Sequence, residues 1–157
     1  MSGAGSVTAF YERINEDKGN GKATMVGLLI VTHCNLGEEL LNAAKFIVGE
    51  VSGTDSVAIT ETAGSDIIRK KIQDKARALD TGDGVIILTD MFGGTPSNIS
   101  LSFLKENKVE VLTGVNLPMV IAIIQNRSNL KLTPLAEKAQ EAGRSGISLA
   151  SKLLECL

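Results

Sequence analysis

The stretch Met25-Val-Gly-Leu-Leu-Ile-Val-Thr-His33-Cys-Asn-Leu-Gly37 decides how the rest of the chain is organised. Residues 26–31 are almost entirely aliphatic, which is typical of a strand that is buried on both faces of a parallel sheet. From Leu36 to Val48 the apolar residues recur at helical spacing, so we expect an amphipathic helix directly after the strand. The only histidine of the chain, His33, lies where the strand turns into the helix. In open α/β sheets ligands bind at the edge formed by the carboxyl ends of the strands, where helix N-termini point free N–H groups.

Three more apolar runs predict strands, and helical patterns separate them along the chain. The predicted strands cover residues 57–60, 84–89 and 109–113, and the predicted helices cover residues 65–79, 95–106, 119–125 and a last segment from residue 134. Strands that alternate with helices are typical of right-handed βαβ crossovers with parallel pairing. The sequence therefore predicts an α/β fold, a three-layer αβα arrangement with a mainly parallel four-stranded sheet. Residues 147–157 fit a strand or a helix equally well.

The length and composition indicate one globular domain. The chain has 157 residues, of which 43% are hydrophobic, and this is enough to bury a layered core. Residues 1–24 are rich in glycine and polar side chains, so we interpret them as a flexible N-terminal extension or leader and place the domain at residues 25–157. We find no signal-peptide pattern, and no apolar run approaches the ~20 residues of a membrane span.

Charge and residue types argue against nucleic acid and metal as partners. The net charge is only −2 and aromatic residues make up 3%, so we expect neither a basic surface nor a base-stacking platform. The two cysteines, Cys34 and Cys156, are far apart, and a single histidine leaves zinc without a ligand set. We therefore expect free thiols in a cytoplasmic protein that has no metal site.

A second motif, Asp90-Met-Phe-Gly93-Gly94-Thr95-Pro96-Ser97-Asn98, follows the third predicted strand. The paired glycines permit a tight backbone path, Thr95 is a natural N-cap, and Pro96 fits the first position of a helix. The N-terminus of that helix would present unpaired N–H groups, which favour an anion. A glycine pair alone is equally typical of an ordinary βα turn.

The carboxyl ends of parallel strands open on one edge of the sheet. The ends of the first, third and fourth predicted strands carry His33, Asp90 with Thr95, and Asn116 respectively. We therefore expect these four side chains to line one crevice.

These motifs resemble the IIA domain of mannose-type sugar phosphotransferase systems. The resemblance rests on Leu-Ile-Val-Thr-His33, Leu-Thr-Asp90-Met-Phe-Gly-Gly-Thr-Pro96 and Gly114-Val-Asn-Leu-Pro-Met119, which stand in the family's order and spacing. It extends over about residues 25–150. It implies that His33 accepts a phosphoryl group from the phosphocarrier protein HPr and passes it to a IIB domain, while Asp90 hydrogen-bonds the imidazole.

The resemblance also implies a homodimer, in which an antiparallel strand at about residues 146–150 crosses to the partner's sheet. It implies no cofactor, and contact with the membrane only through a permease complex. Five further residues are predicted to hold the phosphoryl group: Thr32, Gly93, Gly94, Thr95 and Asn116. The family commonly has glycine where Cys34 stands and a small hydroxyl residue where Met91 stands, so Thr95 is the expected side-chain donor to the phosphoryl group.

The chemistry is also consistent with the residue types alone. An imidazole that accepts a phosphoryl group must be neutral at the attacking nitrogen, and a carboxylate on the other nitrogen fixes the tautomer and stabilises the developing charge. Phosphoryl transfer depends mainly on positioning and charge stabilisation, so helix-terminal amides can act where kinases use a metal. No GxxxxGK[ST] nucleotide loop is present.

Three other functions compete with this hypothesis. A receiver-type signalling domain would use Asp90 as its acceptor, but it needs acidic metal ligands after the first strand, where the sequence offers none. A flavin-binding role lacks hydroxyl donors in the first loop and aromatic residues to stack the ring. A regulatory interaction module, in which the phosphorylation state of His33 signals to another protein, remains as the alternative.

Overall fold

The computed structural model describes residues 24–60 and 64–154. Its strands are β1 (Gly27–His33), β2 (Thr54–Ile59), β3 (Val85–Thr89) and β4 (Val109–Thr113). Its helices are α1 (Leu36–Val48), α2 (Ser65–Leu79), α3 (Thr95–Leu101), α4 (Leu117–Asn126), α5 (Leu132–Ser145) and α6 (Ala150–Leu154). Of the predicted N-terminal extension, residues 1–23 lie outside the described part of the chain.

The four strands form one parallel sheet with the order β2-β1-β3-β4, which confirms the predicted α/β fold. In the register of the two central strands, Val31 of β1 lies opposite Thr89, the last residue of β3. On the other side of β1, His33 lies opposite Ile59, the last residue of β2. Because the strands are parallel, the ends of β1 and β3 lie next to each other at one edge of the sheet.

Helices cover both faces of the sheet, as the unbroken aliphatic runs predict. The two central strands are buried along almost their whole length, and successive side chains enter opposite layers. One core packs against α1, α4 and α5, and its sheet residues are Leu28, Ile30, Ile86 and Leu88. The other core packs against α2 and α3, and its sheet residues are Leu29, Val31, Val57, Ile59, Val85 and Ile87. The predicted three-layer arrangement is therefore correct.

Helix α3 is shorter than the predicted helix over residues 95–106. It ends at Leu101, and the Ser102 hydroxyl donates a hydrogen bond to the Ile99 carbonyl at 2.6 Å. A serine hydroxyl that bonds a nearby carbonyl competes with the helical backbone bond. The next residues make tight turns, and the Lys105 N–H then donates to the Val109 carbonyl at 3.1 Å. The local bonds of Ser102 explain why the chain leaves the helix early.

The C-terminal part also differs in detail from the sequence pattern. Helix α5 begins two residues before Pro134, which stands in the first turn, where its missing N–H breaks no helical bond. For residues 147–157 the sequence left strand and helix open; residues 147–149 have no regular structure, and α6 covers Ala150–Leu154. The described chain forms no strand at residues 146–150, so a strand that forms against a partner's sheet stays a prediction.

Candidate functional site

His33 and Asp90 form a close pair at the adjacent ends of β1 and β3. The His33 ring Nδ1 lies 2.7 Å from Asp90 Oδ2, and the His33 backbone N–H donates to the same oxygen at 2.8 Å. The other carboxylate oxygen, Oδ1, accepts a hydrogen bond from the Met91 N–H at 3.0 Å. One carboxylate therefore holds both the main chain and the ring of the histidine.

The electrostatics of the pair favour an ionised Asp90. Burial by itself raises the pKa of this carboxyl, but the hydrogen bonds from the His33 N–H and ring, the electrostatic interaction with His33 and the hydrogen bond from the Met91 N–H outweigh it. The pKa of Asp90 is therefore lowered from its ordinary value. An ionised carboxylate only accepts hydrogen bonds, so Nδ1 carries the ring proton. In the neutral form of the ring, the free lone pair is then on Nε2.

The pair is open to a partner on the histidine side only. The His33 side chain is 48% exposed, whereas the Asp90 side chain is 13% exposed. A reacting imidazole must be accessible, and a carboxylate that orients it can be covered. The exposures of His33 and Asp90 fit these two roles.

The glycine pair of the second motif lies against the imidazole. A Cβ atom added to Gly94 would lie 3.2 Å from His33 Cε1, the carbon between the two ring nitrogens, so a side chain there would press on the ring. Gly93 has φ +81, a conformation that glycine adopts without strain. The structure thus brings Gly94 to the pair through a turn that glycines make possible.

The expected N-cap of α3 is wrong by one residue. Gly94 is the N-cap, in an extended conformation, and as a glycine it makes no side-chain capping bond. Thr95 is instead the first helical residue and is exposed beside Gly94. The backbone of Gly94 already provides the extended geometry that an N-cap needs, so the threonine enters the first turn.

Thr32 has a different environment from the one expected of a phosphoryl-binding residue. Its side chain is fully buried, and its hydroxyl accepts a hydrogen bond from the Gly37 N–H at 2.9 Å. The same hydroxyl donates to the Cys34 carbonyl at 3.5 Å. The hydroxyl therefore bonds Cys34 in the loop after β1 and Gly37 in the first turn of α1, and it is not exposed to solvent.

Asn116 is the N-cap of α4 and is not part of the contacts around His33. Its side-chain oxygen accepts a hydrogen bond from the Met119 N–H at 3.2 Å, and its amide donates to the Gly143 carbonyl at 2.9 Å. It lines a groove with Phe92 and Gly143 to which His33 does not contribute. Both polar groups of this side chain thus bond the backbone of α4 and α5, and its contact with a phosphoryl group stays a prediction.

Exposed apolar side chains that adjoin the pair along the chain are a feature that was not predicted from the sequence. Leu36, Met91 and Phe92 adjoin the pair along the chain and are 46%, 55% and 75% exposed. Apolar residues near a motif are usually interpreted as core, so the sequence gives no sign that these remain in solvent. Exposed apolar side chains next to polar groups are typical of protein–protein contact sites.

The remaining expectations concern thiols, metals and membranes. Cys34 is a free and exposed thiol beside His33, whereas Cys156 lies outside the described residues. Within residues 24–60 and 64–154, no group of three or more His, Cys, Asp or Glu side chains could hold a metal ion. None of the helices in the same part of the chain is long and apolar enough to cross a bilayer.

Two relatives are similar to this chain in sequence. The chain is 29% identical over 133 residues to the PTS system mannose-specific EIIAB component of Escherichia coli strain K12, a match that covers 83% of this chain and 41% of the relative. It is 26% identical over 132 residues to the PTS system fructose-specific EIIA component of Bacillus subtilis strain 168, with 83% and 90% covered. The chain thus spans about two fifths of the EIIAB relative and most of the EIIA relative.

A solved structure shares the fold. The PTS IIA protein associated with the fucose utilization operon from Streptococcus pneumoniae superposes with a TM-score of 0.76 at 25% identity, over 85% of this chain and 99% of that chain. The family described as PTS system fructose IIA component matches residues 27–140, which include His33, Asp90 and Asn116. The chain therefore belongs to the family of fructose- and mannose-type IIA components of the phosphotransferase system.

Proposed function

We propose that this protein is a phosphocarrier of a sugar phosphotransferase system, a phosphotransferase that accepts a phosphoryl group from phospho-HPr on His33 and passes it to a IIB domain. The observation that carries the proposal is the His33 Nδ1 to Asp90 Oδ2 distance of 2.7 Å. This bond leaves Nε2 as the nitrogen with a free lone pair, on a ring that is 48% exposed.

In the proposed step, Nε2 of His33 attacks the phosphorus atom of the donor. The Nε2–P bond forms while the bond between phosphorus and the donor breaks, and the donor keeps the electron pair. The ring now carries a positive charge with the proton still on Nδ1, and ionised Asp90 stabilises that charge. The same steps in reverse order pass the phosphoryl group to the acceptor, so Asp90 is not consumed.

We propose that Gly93, Gly94 and Thr95 surround the phosphoryl group, with backbone N–H groups and the Thr95 hydroxyl as donors. The 3.2 Å approach of the Gly94 Cβ position to His33 Cε1 supports this assignment, because it brings the start of α3 beside the reacting ring. Thr32 and Asn116 act mainly on the backbone in this proposal, since their polar atoms bond main-chain groups.

The exposed apolar side chains near the pair support a protein as the phosphoryl donor. Leu36, Met91 and Phe92 would contact HPr and the IIB domain in turn. The EIIAB name of the Escherichia coli relative indicates that a IIA and a IIB component can share one chain. We propose that this protein works in the cytoplasm and meets the membrane only through a permease complex.

The test is incubation of the purified chain with phosphoenolpyruvate, enzyme I and HPr. We expect an acid-labile, alkali-stable phosphate that is absent from His33→Ala. An acid-stable label, or a label that survives this substitution, would contradict the proposal. A labelled chain that transfers nothing to any IIB domain would favour the regulatory alternative.

We also propose a homodimer that depends on the segment after α5. Ile147 and Leu149 are 78% and 63% exposed, and β4 has a neighbouring strand on one side only within the described sheet. A strand from a second copy would satisfy this edge. A chain that ends at Ser145 should be monomeric by light scattering when the full chain is dimeric. A dimer that survives this truncation would contradict the swapped strand.

A further inference from the structure

Thr32 directly precedes the proposed phosphoryl acceptor, His33, and its side chain is buried in the interior. Its hydroxyl lies between the Gly37 N–H, at 2.9 Å, and the Cys34 carbonyl, at 3.5 Å. Gly37 is the second residue of α1, and the N-cap residue Asn35 makes no side-chain capping bond. Thr32 therefore supplies, from the strand, the capping bond that the N-cap residue does not make.

This bond requires α1 to begin very close to β1. A Cβ atom on Gly37 would lie 3.1 Å from Ile30 Cγ2 and 3.2 Å from the Ile30 carbonyl oxygen, which is tighter than ordinary packing. Glycine at this position lets the helix approach the strand, and the approach brings the Gly37 N–H to the hydroxyl. The buried hydroxyl of Thr32 and the missing side chain of Gly37 are thus both needed for this hydrogen bond.

The residue between the bonded groups is strained. Cys34 has φ +50, a left-handed conformation that residues with a side chain rarely adopt. Its N–H donates to the Ile59 carbonyl at 3.0 Å, so the neighbouring strand holds one side of this residue. On the other side of Cys34, its carbonyl accepts the hydrogen bond from the Thr32 hydroxyl.

We infer that Thr32 is a positioning residue for phosphoryl transfer: its buried hydroxyl bridges Cys34 and Gly37 and fixes the turn that presents the His33 ring. This inference rests on the proposed function of His33. The hydroxyl acts through the backbone and does not touch the phosphoryl group, because the side chain is fully buried. Loss of the bridge should therefore slow transfer and leave partner binding nearly unchanged.

The test compares Thr32→Val with Thr89→Val in the full chain. Thr89 is the matched control: it is equally buried, lies at the end of the neighbouring strand, and its hydroxyl has no partner among the described residues. We measure kcat and KM for transfer from phospho-HPr, at a temperature at which thermal melts show every variant folded. Thr32→Val should lower kcat about 10- to 100-fold, the range for residues that orient a reacting group, and change KM less than about twofold. Thr89→Val should match the unsubstituted protein.

Two further variants keep the test decisive. Thr32→Ser retains the hydroxyl and should restore kcat to within about threefold. If Thr32→Val fails to fold, Gly37→Ala replaces it, because the added Cβ pushes α1 from β1 and lengthens the same bond. An undiminished kcat in Thr32→Val or its replacement, or a Thr32→Ser variant as slow as Thr32→Val, would overturn the inference.

Failure of the proposed function has a different result from failure of this inference. If the unsubstituted chain takes no label, or His33→Ala keeps it, the phosphoryl acceptor is wrong, and kcat no longer reports on Thr32. If His33 is labelled at the same rate with and without the Thr32 hydroxyl, the acceptor stands and only the positioning role is refuted.

Discussion

The ends of β1 and β3 are built from similar residues and held by different bonds. Each strand ends with a fully buried threonine before or at its last residue, and the residue after that threonine belongs to the site: Thr32 precedes His33, and Thr89 precedes Asp90. The Thr32 hydroxyl has two backbone partners. The Thr89 hydroxyl has none within the described residues.

The difference shows which of the two strand ends is stabilised by bonds within its own loop and which by bonds to the other strand end. The β1 end is closed by a bond within its own turn and the start of α1. The Asp90 carboxylate is instead held by what it accepts, namely two bonds from His33 and one from the Met91 N–H. The turn after β1 is therefore closed by its own bonds, and the Asp90 carboxylate adds the bonds that hold the His33 main chain and ring.

The largest expected effect comes from Asp90→Asn, which tests whether the β3 end contributes charge or only shape. The amide can present its NH₂ group to the ring, favour the wrong tautomer and fail to stabilise the developing cation. Transfer from phospho-HPr should slow by roughly 10- to 10⁴-fold, as for other carboxylates that orient a histidine. The rate is measured beside a thermal melt, because a normal rate would remove Asp90 from the mechanism.

The second effect is on the free energy of unfolding and compares the two threonines directly. Thr32→Val leaves the buried Gly37 N–H and the Cys34 carbonyl without their partner, so we expect a loss of about 1–3 kcal/mol. Thr89→Val removes a hydroxyl that has no described partner, so stability should stay constant or rise by up to ~1 kcal/mol. Urea denaturation of both variants measures the difference. Equal losses at the two positions would remove the contrast between the strand ends.

A smaller effect should follow from relief of strain in the β1 turn. Cys34→Gly removes the side chain at φ +50, and the gain is partly offset by the greater freedom of glycine in the unfolded chain. We expect an increase of about 0.5–1 kcal/mol in the free energy of unfolding. Cys34→Ala is the control, since it removes the thiol and keeps the strained Cβ. A glycine variant no more stable than the alanine variant would show that this turn is not strained.

The smallest effect is the acid dependence of the Asp90 contribution. The pKa of this carboxyl is lowered in the folded chain, whereas in the unfolded chain it lies near ~3.9. Its contribution to stability is complete above the unfolded value and is lost as the pH falls through the folded value. The difference in unfolding free energy between the unsubstituted chain and Asp90→Asn should therefore shrink below about pH 4. A difference that stays constant through this range would contradict the lowered pKa.

The sequence predicts the features that depend on periodicity and topology. The boundaries of α1 agree with its apolar spacing, and the proximity of His33 and Asp90 follows from the parallel order of the strands. Hydrogen bonds made by individual side-chain hydroxyls leave no such pattern. The predicted helix over residues 95–106 does not anticipate the Ser102 hydroxyl bond that ends α3. The two hydrogen bonds of the Thr32 hydroxyl could not be predicted either, because they form only when α1 packs close to β1.

The double acceptance by Asp90 Oδ2 has a consequence for molecular encounter. Because the main-chain N–H and the ring of His33 bond the same oxygen, the rotamer of the imidazole is selected when the chain folds. A side chain that becomes ordered only during docking costs about 0.5–1.5 kcal/mol of conformational entropy. Here that entropy is lost before the encounter, so a colliding protein meets an imidazole that already has the orientation used in the proposed transfer.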